Sequence, residues 1–381
     1  KRNKLYKMKK VYTTLTLLLV ASLSFAQSSV DRKQVLEEMM LANQYFMDKW
    51  PDTGKTIITN KERPSNIWTR AVYYEGLMAL HEIYPKEAFY QYALDWANSH
   101  DWGFRGGNTT RNADNYCAAQ TYIDLYNLQP NPEKLKNTRA CMQKFLHTPQ
   151  NDDWDWIDAI QMGMPVFAKM GVLENDERYF EKMYQMYMAS RNEIGEKGLF
   201  NEADGLWWRD ADFIPPYQEP NGEDAYWSRG NGWVIGALAK TLAIIPEDAP
   251  HRDQYIEDLR AMAAALKKVQ RKDGFWNVSL HDEKHFGGKE LSGTALFIYG
   301  MAYGVNNGLL DREEYLPVIL KGWKAMVEEG LHDNGFLGYL QSTGKEPKDG
   351  QPLSYDKMPD FEDYGLGCFL LAGRERYKLK H

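Results

Sequence analysis

Two kinds of helical segment alternate along this chain, and that alternation limits the folds open to it. Apolar residues recur at helical spacing in twelve stretches: Val30–Trp50, Trp68–Ile83, Lys86–His100, Ala113–Leu128, Glu133–His147, Trp156–Met170, Asp176–Asn192, Gly230–Ile244, Arg252–Gln270, Leu291–Asn307, Arg312–Glu329 and Phe361–Arg376. Runs of alternating β-branched residues, the mark of a half-buried strand, are almost absent. Some stretches, such as RDQYIEDLRAMAAALKKVQ and NPEKLKNTRACMQKFLH, are amphipathic and charged, and require a solvated face. Others, such as ALFIYGMAYGV, WVIGALAKTLAII and GLGCFLLAG, are apolar or small nearly all round and must be enclosed. Six solvated helices alternating with six enclosed ones predict an all-α fold, a six-hairpin (α/α)6 barrel with the enclosed helices as its inner ring.

A loop motif marks the period. WGFRGG (Trp102–Gly107), DGLWWRD (Asp204–Asp210), DGFWNVSL (Asp273–Leu280) and NGFLGYL (Asn334–Leu340) share a Gly-aromatic core, each after an amphipathic helix and before an apolar one. A length of 381 residues alone would allow two or three domains. The internal self-similarity instead predicts one repeat-built domain over 27–381. Ahead of it, Lys9 and Lys10 precede VYTTLTLLLVASLSFA, an apolar run ending in small residues. That is the pattern of a secretory signal peptide over 1–26, too short for a membrane span. The mature chain is therefore expected to be exported, to a periplasm in a Gram-negative host, with no membrane attachment after cleavage.

Outer helices return the chain, so all six inner helices begin at the same end of such a barrel. Their first turns carry Trp68-Thr69-Arg70, Asp114-Asn115, Trp156-Ile157-Asp158, Arg229-Gly230-Asn231, Ser292-Gly293-Thr294 and Glu362-Asp363-Tyr364. Asp, Asn, Ser and Thr are ordinary N-caps. Arginine is not, because its charge opposes the helix dipole, and Trp68, Trp156, Trp227 and Trp233 are not caps at all. Together they predict a polar, aromatic mouth. Asp114 and Asp158 are the candidate carboxylate pair, since a carboxyl hemmed in by Trp154 and Trp156 can have its pKa raised enough to donate a proton. Spacing alone leaves Asp152, Asp153 and Asp155 open as substitutes. Arg229, Arg209 and Arg70 are candidate forks for a carboxylate.

The net charge of −7 argues against nucleic-acid or anionic-membrane partners, which need a basic surface. It leaves room for a small anionic substrate held by one or two local cations. The 12 Trp and 24 Tyr suit a helical core and equally a sugar cleft, where flat aromatic faces stack on rings. The 3 cysteines, Cys117, Cys141 and Cys368, are far apart and read as buried hydrophobes. No metal site or cofactor is implied, and His281 and His285 in SLHDEKHFGG read as loop or surface. A Gly-x-Ser-x-Gly elbow, a P-loop and HExxH are all missing.

WIDAIQMGMPVFAKMG, YWSRGNGWVIGAL, DGFWNVSL with ELSGTALFIYGMAYGVNNG, and DYGLGCFLLAG closely resemble the unsaturated rhamnogalacturonyl hydrolases of glycoside hydrolase family 105. The unsaturated glucuronyl hydrolases of family 88 are more distant kin. The resemblance runs from about Trp68 to Gly373 and implies a six-hairpin α/α barrel. It also implies a small acidic oligosaccharide substrate, the product of a polysaccharide lyase, with a C4=C5 double bond in its terminal uronic acid. On this resemblance Asp158 is the general acid/base and Asp114 the second aspartate. Trp227, Arg229 and Trp233, with Asn231 in the same motif, lie at substrate-contacting positions; Trp68, Arg70, Trp156 and Met162 complete the expected lining. Where family members often carry His, this chain has Arg209. A polysaccharide lyase, an exo-glycosidase on the same barrel, or a glycan-binding protein without catalysis are the alternatives.

Overall fold

The computed structural model describes residues 31–58, 61–357 and 363–380. The leader expected over 1–26, and Val30, Phe361 and Glu362 at two helix starts, lie outside them. Among the described residues helices follow one another with short 3₁₀ turns and two-residue strand pairs between: α1 (31–49), α2 (Trp68–Ile83), α3 (Glu87–Ser99), α4 (Ala113–Tyr116), α5 (Ala119–Leu128), α6 (Lys136–Phe145), α7 (Asp158–Glu174), α8 (Arg178–Asn192), α9 (Ser228–Ile244), α10 (Arg252–Lys268), α11 (Leu291–Asn306), α12 (Arg312–Glu329) and α13 (Asp363–Lys378). The pairs are β1 (Ile57–Ile58) with β2 (Glu62–Arg63) and β3 (Phe200–Asn201) with β4 (Leu206–Trp207), both antiparallel.

The enclosed segments pack as a closed ring. α2 lies against α4 and α5, these against α7, then α9, α11 and α13, and α13 returns to α2. At that closing seam a Cβ on Gly367 would sit 2.2 Å from Val72 O, and one on Gly76 2.6 Å from Gly367 O. Only glycine permits such an approach of two helix backbones. α3, α8, α10 and α12 each pack on an inner helix from outside. α1 packs on α13, where Met39 meets Gly373. This is the (α/α)6 barrel expected from the alternation.

One expected helix, Ala113–Leu128, is broken. Gln120 N reaches only to Cys117 O, at 3.1 Å, so a tighter turn separates α4 from α5. The interruption sits where Tyr116 and Cys117 are fixed by neighbours: Trp154 Nε1 donates to Tyr116 Oη at 2.9 Å and Cys117 Sγ to Glu75 Oε1 at 3.3 Å.

The inner helices share a polarity, and a cavity shows it. A space of about 900 Å³ is lined by Glu82, Leu128, Lys169, Ile244, Asn306 and Lys378, all in the C-terminal parts of inner helices. The six N-termini therefore meet at the opposite end. Between the two ends the interior is polar: Glu75 pairs with Lys240 and accepts from Gln161 Nε2 at 2.9 Å. The pairing leaves neither buried charge alone, although Gln161 Oε1 has no hydrogen-bond partner.

Candidate active site

Asp158 is the first residue of α7, where the helix dipole favours a carboxylate. The turn before it is pinned to the 204–210 loop: Ile157 N donates to Arg209 O at 2.9 Å, and Trp156 forms a β-bridge with Asp210. This brings Arg209 Nε to 3.3 Å from Asp158 Oδ2, while Arg209 Nη1 bonds Asp210 at 2.5 Å. Asp158 is buried and its Oδ2 accepts no hydrogen bond. Burial pushes its pKa up, with Arg209 and then Arg229 pulling it back. Among the acids left open by spacing, Asp153 is bound to Arg111 through two oxygens, and Asp152 and Asp155 are exposed.

Asp114 lies in α4, its backbone N–H capped by the Asn112 side chain at 3.0 Å. Its pKa is pushed up to about 7, first by burial and then by the charge of Asp158; Arg209, Arg105 and Arg63 oppose this. The two aspartates therefore sit in one electrostatic field, with Arg209 acting on both. One protonated and one ionised carboxyl is the state such a pair favours near neutral pH.

The other expected residues divide. Trp68 and Trp156 are partly exposed and Arg209 is half-buried beside Asp158. Trp227, Arg229, Asn231, Trp233, Arg70 and Met162 are buried; Trp227, Asn231 and both Nη atoms of Arg229 spend their polar groups on the protein, while Trp233 Nε1 and the two Nη atoms of Arg70 have no hydrogen-bond partner. Arg229 Nη1 donates to Gln341 O at 2.9 Å and Tyr364 Oη at 2.8 Å, and Nη2 to Ser342 O at 3.2 Å. Trp227 Nε1 donates to Gln341 Oε1 at 2.9 Å. Asn231 binds Trp207 N and O at 2.8 and 3.0 Å. Arg70 pairs with Asp363 at 2.8 Å beneath Phe46 and Trp50. Trp233 stands edge-on to Trp68 at 6.0 Å. Met162 lies 3.4 Å from Cys117 Sγ. The reading of Arg229 and Arg70 as open forks is thereby corrected: their charges hold the 341–344 loop and the start of α13.

Two side chains were missed. Asp210 tethers Arg209, and Arg105 belongs to the WGFRGG loop beside α4. The signal for Arg105 was a cation inside a repeated mouth loop. His285, read as loop or surface, lies with Glu219 and Asp282, their ligand atoms within 4.8 Å of one another. His285 Nδ1 faces Glu219, Ser279 Oγ donates to Glu219 at 2.5 Å, and Asp282 Oδ1 accepts from Lys284 N at 3.0 Å. The three tie the 219–223 loop to the 279–288 loop. The cysteines Cys117, Cys141 and Cys368 are free and buried.

A closed α/α ring with one buried and one half-buried aspartate and an aromatic mouth at its helix starts defines a carbohydrate-hydrolase barrel. The sequence model of glycosyl hydrolase family 88 matches residues 39–380, and the chain belongs to that family. It is a glycoside hydrolase. The motifs had pointed to family 105 with family 88 as kin, and solved structures at 19% to 21% identity, one named as family 105 and two as possible members of it, share the fold. An unsaturated 3S-rhamnoglycuronyl hydrolase from Formosa agariphila is 31% identical over 336 residues, covering 82% of this chain and 85% of that protein. A family 88 glycosyl hydrolase structure from Bacteroides vulgatus aligns with a TM-score of 0.82 at 31% identity, covering 91% of this chain and 99% of the other. A structure named as a polysaccharide lyase aligns equally well, with a TM-score of 0.82, 31% identity and coverages of 91% and 97%.

Proposed function

We propose that this protein removes a terminal Δ4,5-unsaturated uronic acid from oligosaccharides made by polysaccharide lyases, by acid-catalysed hydration of the C4=C5 double bond. The observation that carries this is the pair itself: Asp114 and Asp158 in one field, with an oxygen of Asp158 unbonded and Arg209 3.3 Å away. Asp158, protonated, delivers its proton to C4. Positive charge develops at C5 and the ring oxygen, and the carboxylate that Asp158 becomes on giving up its proton stabilises it. Water adds at C5, losing a proton to Asp158 and restoring the acid. The resulting hemiketal opens to a ketone at C5, and the hemiacetal left at C1 collapses to an aldehyde and the freed sugar alcohol. One water is consumed. Asp114 orients the water or a sugar hydroxyl. Trp68 and Trp156 supply the stacking faces.

The relatives named as unsaturated 3S-rhamnoglycuronyl hydrolases support a rhamnose next to the uronate, as in products from pectin-type or sulfated rhamnose-containing polysaccharides. The signal-peptide pattern of residues 1–26 supports export as part of this proposal, to a periplasm where the host has one. The likeness to a structure named as a lyase gives the second reading, in which the protein makes the double bond rather than consuming it. Ultraviolet absorbance of the conjugated double bond separates the two. A hydrolase bleaches it on a lyase-generated disaccharide; a lyase raises it on the intact polymer; a binding protein leaves it unchanged. General acid catalysis contributes about 10²–10⁴-fold, so Asp158→Asn should lose at least that much turnover while retaining its circular dichroism. A rate near that of the parent enzyme would show that the acid lies elsewhere.

A further inference from the structure

The guanidinium groups around the two aspartates are largely committed. Arg209 is held between Asp158 and Asp210. Arg229 is turned to backbone carbonyls and Tyr364, and Arg70 to Asp363. Arg111, on the strand of chain leading to α4, is fixed by Asp153. Arg105 differs: among the described residues no carboxylate, carbonyl or ring is paired with its half-buried side chain.

Its position is set from both sides. Arg105 sits between buried Phe104, stacked on Tyr122 at 6.0 Å, and Gly106. Gly106 has φ +81°, a conformation that favours glycine, and a Cβ there would lie 3.3 Å from Asn115 Nδ2. Asn115 Nδ2 in turn donates to Thr110 Oγ1 at 2.9 Å. The loop is thus strapped against the start of α4, one residue from Asp114.

Resting on the hydrolase reading above, we propose that Arg105 is the residue that receives an anionic oxygen group of the substrate at this mouth. Two sources offer that chemistry: the C6 carboxylate of the unsaturated uronate, or a sulfate ester on the sugar beside it. A planar carboxylate and a tetrahedral sulfate each present a pair of oxygens that a guanidinium can bind through two parallel hydrogen bonds. An uncommitted cation also accounts for how an acidic protein draws an acidic sugar into a pocket already holding two aspartates.

The test compares Arg105→Met and Arg105→Lys with the parent enzyme on unsaturated disaccharides with and without a sulfate on the second sugar. Charge-assisted hydrogen bonds of this kind are expected to make KM rise roughly 10- to 100-fold in Arg105→Met, with kcat little changed and part of the loss recovered in Arg105→Lys. A rise on both substrates assigns the uronate carboxylate; a rise on the sulfated one alone assigns the sulfate. An unchanged KM on both overturns the inference, as does an altered pH profile at constant KM, which would mean that Arg105 serves only Asp114. Should the parent enzyme turn over neither disaccharide, the hydrolase reading fails. Calorimetric titration with the same two sugars then decides for Arg105, since affinity lost in Arg105→Met upholds it and unchanged affinity overturns it.

Discussion

Replacing Asn231 by Ala separates two accounts of the RGNGW motif. In the structure Asn231 is fully buried, with Oδ1 accepting from Trp207 N at 2.8 Å and Nδ2 donating to Trp207 O at 3.0 Å and Trp227 O at 3.1 Å. Trp207 pairs with Phe200 across the β3–β4 ladder, where Trp208 N takes Leu199 O, so Trp207's own peptide groups face α9. Asn231→Ala leaves that N–H and C=O buried and unpaired. Each such group costs about 1–3 kcal/mol, so the variant should lose about 2–6 kcal/mol of stability, a large share of the ~5–15 kcal/mol typical of a domain. Urea unfolding with and without the substitution measures it. Activity should fall too, because Trp207 lies two residues before Arg209 and fixes its approach to Asp158. If Asn231 instead touched only sugar, stability would stay within about 0.5 kcal/mol and KM would rise at unchanged Tm. That split would refute the structural role.

Three further outcomes follow from the site. Arg209 pulls the pKa of both Asp158 and Asp114 down; in Arg209→Gln both rise further, the neutral proton donor keeps its proton to higher pH, and the alkaline limb of kcat against pH moves upward. An unmoved limb would show that Arg209 does not act on the donor. Asp114 holds its proton up to about pH 7 in the folded chain against 3.8 for an ordinary aspartate, so the folded state binds more protons and stability falls as pH rises between those values. Asp114→Asn should therefore gain relative stability from pH 4 to 7 and level off above, in unfolding measured across that range; a constant difference would contradict the raised value. Arg70→Met removes the guanidinium that offsets the buried charge of Asp363 and should cost about 3–5 kcal/mol, largely regained in Arg70→Met with Asp363→Leu. Equal losses in the single and double variants would show that the pair is not the cause.

Much of the barrel was legible because burial all round leaves a compositional trace. ALFIYGMAYGV has no residue that could face water, and the corresponding α11 is buried from Leu291 to Val305. The break at Cys117 left no such trace, since it depends on Trp154 and Glu75, which arrive from other helices. The gathering of polar groups at one end followed from helix polarity. Their division of labour did not. Whether Arg229 meets a sugar carboxylate or the carbonyls of Gln341 and Ser342 depends on a loop more than a hundred residues away. What sets the arginine of WGFRGG apart is the pairing of the neighbouring guanidinium groups, which only the fold brings about.

Those commitments have a common logic. Asn231 in the first turn of α9 accepts from the backbone of Trp207, and Thr294 in the first turn of α11 accepts from that of Trp276 at 3.1 Å. Arg229 and Tyr364 do the same service for the 341–344 loop. At these inner helices the opening polar residue is a peg for the Gly-aromatic loop beside it. α4 and α7 break that pattern: Asp114 pegs no loop backbone, and the Oδ2 of Asp158 meets the 204–210 loop only through the Arg209 side chain, at 3.3 Å and without a hydrogen bond; burial without such bonds is what keeps a carboxyl protonated. A peg needs its hydrogen bonds satisfied, and a proton donor needs at least one oxygen left unsatisfied. The same position in one repeated unit therefore serves structure on one side of the ring and chemistry on the other, according to whether a neighbouring backbone reaches it.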